Sequence, residues 1–319
     1  MPSIGLVLSA GGDTARAFHS GALAALAAET GWDPRRADLI VGTSAGSSAA
    51  AYLRAGLSAA DDYALVTGGP VSAAGEALIA RARAAVVGSG SGATGGGTRP
   101  LNPTLAMRAL ARRASLVTGL AGMAPRGGAS NVDLGARIHA VLGDHWPEAA
   151  LWVCTVRVRD GKRVVFGRDD VPATDAGLAV RASCAVPRVY APVAIAGELY
   201  IDGGTHSTTN ADLVAGLAFD LVVVISSMSA IPSAAAFDPR KPGSWWFRRA
   251  VEREVAAIRQ RGSEVLLIEP APADLAARRA GDRAESAREA YRSTVARLQR
   301  PDVARARELL ARSSIASAQ

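Results

Sequence analysis

The 319-residue sequence is poor in several groups on which whole protein classes depend. It has two cysteines, Cys154 and Cys184. Two thiols cannot build a disulfide framework for a chain this long, and a reducing compartment suits them. Both lie among apolar neighbours, where a thiol behaves as a small buried hydrophobe. There are four histidines, and no His, Cys, Asp or Glu cluster has metal-ligand spacing, so no metal is expected. No apolar run reaches membrane-spanning length, and the longest, Leu213–Ile225, is broken by Asp220. Zinc-finger spacing, RNP-type aromatics and an isolated basic block are all missing, which argues against a nucleic-acid partner. Met1-Pro2-Ser3-Ile4 has no basic region before its short apolar run and does not read as a signal peptide. A cytoplasmic protein is the expectation.

Lysine is also scarce. Only Lys162 and Lys241 occur, so arginine carries almost all of the formal charge of +7. Arginine spread over helix surfaces is the simpler reading, and peripheral attraction to an anionic membrane surface is the second. What the chain does have is alanine, 33 glycines and 49% hydrophobic residues, the composition of a globular protein with closely packed helices.

Residues 39–56 organise the rest. Leu39-Ile40-Val41 reads as the end of a buried strand, and the Ala, Ser, Tyr and Leu run to Gly56 as a helix. Between them stands Gly42-Thr43-Ser44-Ala45-Gly46, a G-x-S-x-G pentapeptide. On a sharp strand-to-helix turn, Ser44 would stand above the sheet with a helix N-terminus behind it. That pattern points to a nucleophilic serine.

Ile4–Leu8 is a second buried strand, followed by Ser9-Ala10-Gly11-Gly12-Asp13 and a helix from about Ala17 to Glu29. The dinucleotide spacing G-x-G-x-x-G is absent and no Walker lysine follows, so exposed backbone N–H groups read better as an oxyanion hole than as a nucleotide site. Further strands are expected at Leu151–Arg159 and Arg163–Gly167 around the Asp160-Gly161 turn, at Val193–Ala196 and Leu199–Ile201, and at Leu221–Ile225 and Glu264–Ile268. Helices are expected between them and beyond Pro270. The expected fold is therefore an α/β layered sheet. One domain is expected over residues 1–270, with 88–131 a flexible insertion that is either a lid or a surface loop, and 271–319 a helical extension. Trp245-Trp246-Phe247-Arg248-Arg249 reads as a helix start packed on the sheet, with a membrane interface as the other reading.

Ser44 needs a base. Asp202 ends an apolar strand beside Gly203 and Gly204, and by local sequence it is equally a base or a turn cap. His206 would complete a Ser…Asp…His order, although a loop histidine without a role is the commoner outcome. His19, inside the first helix, reads as a packed side chain.

Taken in order, the glycine turn after the first strand, Gly42-Thr43-Ser44-Ala45-Gly46 and Tyr200-Ile201-Asp202-Gly203-Gly204 resemble the patatin-like phospholipases. His19-Ser20-Gly21-Ala22-Leu23 and Ala182-Ser183-Cys184-Ala185-Val186-Pro187 strengthen the likeness, which runs from about Ile4 to Leu213. The resemblance implies a three-layer α/β/α fold with a central mainly parallel sheet. It also implies a Ser44–Asp202 dyad and an oxyanion hole from the N–H groups of Gly11 and Gly12. The implied activity is hydrolysis of lipid acyl esters through an acyl-enzyme, without a cofactor. An acyltransferase or thioesterase could use the same intermediate. Ala10 and Asp13 stand where the family often has glycine. Asp13 is expected to pair with Arg16 or to point outward, and a hole impaired by it would leave a lipid-binding protein.

Overall fold

A computed structural model of the chain describes residues 1–86, 97, 99–111, 116–168, 171, 173–230 and 242–315. β1 (Ile4–Leu8), α1 (Gly12–Thr30), β2 (Leu39–Thr43) and α2 (Ala45–Arg54) come first. α3 (Ala59–Thr67), α4 (Ala73–Ala84), α5 (Thr104–Leu110), α6 (Leu116–Met123) and α7 (Val132–Leu142) follow. Two hairpins, β3 (Ala150–Arg157) with β4 (Arg163–Phe166) and β5 (Val193–Ile195) with β6 (Glu198–Asp202), flank α8 (Ala176–Ser183). The chain continues through β7 (Leu221–Ile225), α9 (Pro242–Gln260) and β8 (Glu264–Ile268). It then runs through α10 (Pro272–Ala280), α11 (Arg283–Leu298) and α12 (Ala304–Ile315).

Five strands, β8-β7-β1-β2-β3, run parallel in that order. Because helices cover both faces, these strands are continuous apolar runs: all five residues of β1, β2 and β7 are buried. Alternation along the strands divides two cores. Leu6, Leu8, Ile40 and Val223 pack toward α1, α2, α8 and the C-terminal helices. Val7, Val41, Val222 and Val224 pack toward Val251, Val255 and Ile258 of α9. The result is the three-layer α/β/α architecture with a mainly parallel sheet. α11 lies along α1 so closely that a Cβ on Gly21 would meet the Ala287 carbonyl at 2.1 Å.

The register around β3 decides which strand ends meet. β4 occupies one edge of β3 over Val153–Val156. β2 and β6 therefore share the opposite edge, β2 ending with Thr43 against Cys154 and β6 ending with Asp202 against Thr155. The two strands approach head to head and finish at consecutive residues of one neighbour.

Some local expectations shift. α1 begins at Gly12, directly after the glycine turn, rather than near Ala17. Residues Ala211–Val214 form a short 3-10 turn rather than an α-helix. α6 has no counterpart in the sequence reading, because Gly119 and Gly122 lower its helix propensity. Packing decides it: those glycines let α6 lie against Ala109 and Leu105 of α5. Most of the Gly88–Gly97 run, and the side chains of Trp245 and Trp246, lie outside the described residues.

Candidate active site

Ser44 is the hinge between β2 and α2. Its backbone sits at φ 53°, ψ −120°, a conformation costly for any residue with a side chain. The turn is tight enough to need Gly46, where a Cβ would lie 2.1 Å from the Leu8 carbonyl oxygen. A Cβ on Gly42, one residue before Thr43, would lie 2.5 Å from Ser47 Cα of the helix. The Ser44 N–H donates to Ser183 Oγ at 2.8 Å, and that hydroxyl donates on to the Cys154 carbonyl at 2.7 Å. The Ser44 carbonyl accepts from Ser47 Oγ at 2.6 Å and from the Ser47 and Ser48 N–H groups. The strained turn is thereby held from both sides, and Ser44 itself is only 4% exposed.

Asp202 comes to Ser44 because β6 ends beside β2 on β3. Its carboxylate accepts from the Gly204 N–H at 2.7 Å, and the Ser44 side chain lies close enough to favour its ionised form. Gly203 follows pressed against the Cys154 carbonyl, and Gly204 faces Ala10 of the first loop. Asp202 is 5% exposed, and burial is the largest influence on its carboxyl, raising the pKa from 3.8 to about 6 against the opposing effects of Ser44 and Gly204. A buried carboxyl with its pKa near 6 thus stands beside the serine turn. Cys184 is half-buried, its Sγ 4.0 Å from Ser47 Oγ. Burial pushes that thiol up to about 12, so it stays protonated and does not compete as a nucleophile.

The first loop brings the third component. Ala10 donates its N–H to the Thr208 carbonyl at 2.7 Å and accepts from Ser227 Oγ at 2.9 Å. Gly11 then takes φ +143°, and a Cβ there would meet Ser227 Oγ at 2.7 Å. The N–H groups of Gly11, Gly12 and Ala45 have no acceptor among the described residues. Since the Ser44 N–H is committed to Ser183, an oxyanion beside Ser44 would draw on those three. Asp13 is exposed. Arg16 turns away from it and forms a two-pronged ion pair with Asp62 of α3, so the expected Asp13–Arg16 pair does not form. Asp62 is buried and offers both carboxylate oxygens, which a guanidinium matches better than the exposed Asp13 could.

His206 is not hydrogen-bonded to Ser44 or Asp202 among the described residues; the charges acting on it are Arg163 and Asp212. His19 is fully buried with Nε2 3.4 Å from Ser9 Oγ, and burial holds its pKa down at about 3.

Behind the site lies a polar network that sequence reasoning did not find. Glu254 of α9 accepts from Ser207 Oγ at 2.5 Å, from the Ala211 N–H at 2.9 Å and from Thr209 Oγ1. The loop it pins carries Asn210, whose side chain donates to Thr43 Oγ1 at 3.0 Å, immediately before Ser44. The same loop offers the Thr208 carbonyl to Ala10. A signal was present: Glu254 falls on the apolar stripe of α9 with Val251, Val255 and Ile258, where a carboxylate is out of place without partners.

The fold and site thus define an α/β/α protein with a serine elbow at the carboxyl end of its parallel strands and a buried carboxylate beside it. The family model described as Patatin-like phospholipase matches residues 6–215, and the chain belongs to that family. Membership supports lipid hydrolysis as its class of activity. No curated protein matches the chain by sequence. Among solved structures it is similar to VipD from Legionella pneumophila, with a TM-score of 0.45 and 15% identity over 93% of this chain and 67% of that one. It is also similar to the type III effector protein ExoU, with a TM-score of 0.36 and 18% identity over 95% of this chain and 54% of that one.

Proposed function

We propose that the protein is a serine lipid acyl hydrolase in which Ser44 is the nucleophile and Asp202 its base. The observation that carries this reading is the head-to-head ending of β2 and β6 on β3, which joins a strained serine to a buried carboxylate with no histidine between them. Asp202, ionised above about pH 6, takes the Ser44 proton as Oγ attacks the ester carbonyl carbon. The carbonyl π electrons move onto oxygen, and the N–H groups of Gly11 and Gly12, with that of Ala45, receive the oxyanion. When the tetrahedral intermediate collapses, the C–O bond to the alcohol breaks and Asp202 returns the proton to the leaving oxygen. Water then repeats the sequence on the acyl-enzyme, with Asp202 again as base, releasing the fatty acid and Ser44. Asp13 is exposed, in keeping with a working hole rather than an impaired one.

A fluorophosphonate probe and a p-nitrophenyl ester test this directly. The parent protein is expected to form one adduct, on Ser44, and to turn over the ester. Ser44→Ala should abolish both, and Asp202→Asn should lower turnover by ~10²–10⁴. Undiminished turnover in Ser44→Ala would refute the reading.

A further inference from the structure

The surface beside the candidate site carries the wrong residues for contact with water. Ten large apolar side chains stand out of the surface among the described residues, and eight of them fall within 107–132 and 186–189. These segments form one surface, since the Ala129 N–H donates to the Val189 carbonyl at 3.0 Å and the Ala191 N–H to the Ala129 carbonyl at 3.1 Å. In α6 the small residues face inward, Gly119 against Ala109 and Gly122 against Leu105, while Val117, Leu120 and Met123 face out at every third position. α5 does the same, burying Leu105 and Ala109 and exposing Leu110 to 87%. A helix lying on a globular surface in water normally has the opposite arrangement.

This surface is attached to the site. Thr118 Oγ1 of α6 donates to the Thr205 carbonyl at 2.8 Å, and Thr205 Oγ1 donates to the Asp202 carbonyl at 2.8 Å. Beneath, Leu101 and Ala121 rest on Val156 and on Ile201, the residue before Asp202.

Its charge is of one sign. The charged residues described over 99–126 and 186–189 are Arg99, Arg108, Arg126 and Arg188, with no carboxylate among them. Arg99 and Arg126 are exposed and adjacent, the Arg126 N–H donating to the Arg99 carbonyl at 3.3 Å. Neither has a carboxylate partner among the described residues. Face-to-face pairing of two copies would set these like charges together, which is costly. An anionic bilayer instead offers negative head groups at the rim and hydrocarbon for the centre.

We propose that the outer faces of α5 and α6, with the 186–189 loop, seat the protein on an anionic phospholipid bilayer with the candidate site turned toward it. This rests on the reading of the site as a lipid acyl hydrolase.

The test uses vesicles of phosphatidylcholine with phosphatidylglycerol and of phosphatidylcholine alone. Binding is measured on the full chain carrying Ser44→Ala, so that no lipid is consumed. Preference for the anionic vesicles is expected. The triple change Leu110→Ser, Leu120→Ser and Met123→Ser should weaken vesicle binding at least about tenfold. The double change Arg99→Gln and Arg126→Gln should weaken anionic binding about fivefold per cation, with the effect fading as salt rises. In the Ser44 background both sets should leave turnover of a soluble short-chain ester unchanged and the unfolding temperature within a few degrees. Vesicle binding that is unaltered by the triple change, or indifferent to lipid charge, overturns the proposal. So does a change in oligomeric state on gel filtration, which would make this a protein interface. If the Ser44→Ala chain binds as expected while the parent hydrolyses no ester, the enzymatic reading fails and the docking surface stands.

Discussion

Replacing Asp202 with asparagine separates what that carboxylate costs the fold from what it does in the proposed reaction. In the unfolded chain an aspartate gives up its proton near pH 3.8, whereas in the folded protein Asp202 holds it until about pH 6. The folded state therefore binds the proton more tightly, and the fold loses stability as pH rises through that window. Each tenfold difference in proton affinity is about 1.4 kcal/mol, so above pH 6 the buried charge costs roughly 3 kcal/mol. Asparagine keeps an oxygen for the Gly204 N–H and carries no charge. Asp202→Asn should thus raise stability by up to about 3 kcal/mol at pH 8, or roughly 4–5 °C in unfolding temperature. The gain should shrink between pH 6 and pH 4 and vanish below that. Thermal or urea unfolding of both proteins at pH 4 and pH 8, beside ester turnover, provides the measurement. A gain of equal size at both pH values, or no gain at pH 8, would refute the argument that burial of the charge is the cause.

The pH dependence of the parent should follow the same group. kcat/KM for a neutral ester should fall about tenfold per pH unit below about pH 6 and level off above it, and a flat profile from pH 5 to pH 8 would count against Asp202 as base. Gly46→Ala sets a methyl 2.1 Å from the Leu8 carbonyl oxygen, a backbone atom of a central strand that cannot step aside. Its expected cost is about 3 kcal/mol or more, read as a lowered unfolding temperature or insoluble protein. Glu254→Ala leaves two hydroxyls and the Ala211 N–H without their acceptor, and kcat should drop about tenfold with KM little changed, because the loosened loop holds Thr43 and Ala10. Glu254→Gln keeps an acceptor oxygen and should recover most of that loss, which a purely destabilising change would not show.

Local sequence was enough wherever a physical requirement falls on neighbouring residues. The buried strands Leu221–Ile225 and Glu264–Ile268 announce themselves as short apolar runs, and Asp160-Gly161 marks its hairpin by turn chemistry. The serine elbow is legible because a strained backbone at Ser44 needs small residues within two positions of it. Asp202 was harder: a strand ending in Asp-Gly-Gly is equally a capped turn, and here the carboxylate does accept from Gly204 while it also faces Ser44. Arg16 shows the limit plainly, since the nearest carboxylate in sequence was the wrong partner and Asp62, 46 residues on, the right one.

The strands and the elbow are thus properties of short stretches of chain, since each depends on the nearest few neighbours. That β2 and β6 end against consecutive residues of β3 is settled by the fold as a whole. The fold also decides that Ser183 takes the Ser44 amide and that Glu254 of α9 holds the loop behind the site. Those facts arise from strand register and from burial. Register fixes which distant residues meet, and burial fixes how tightly a carboxyl keeps its proton; neither is a property of a short stretch of chain.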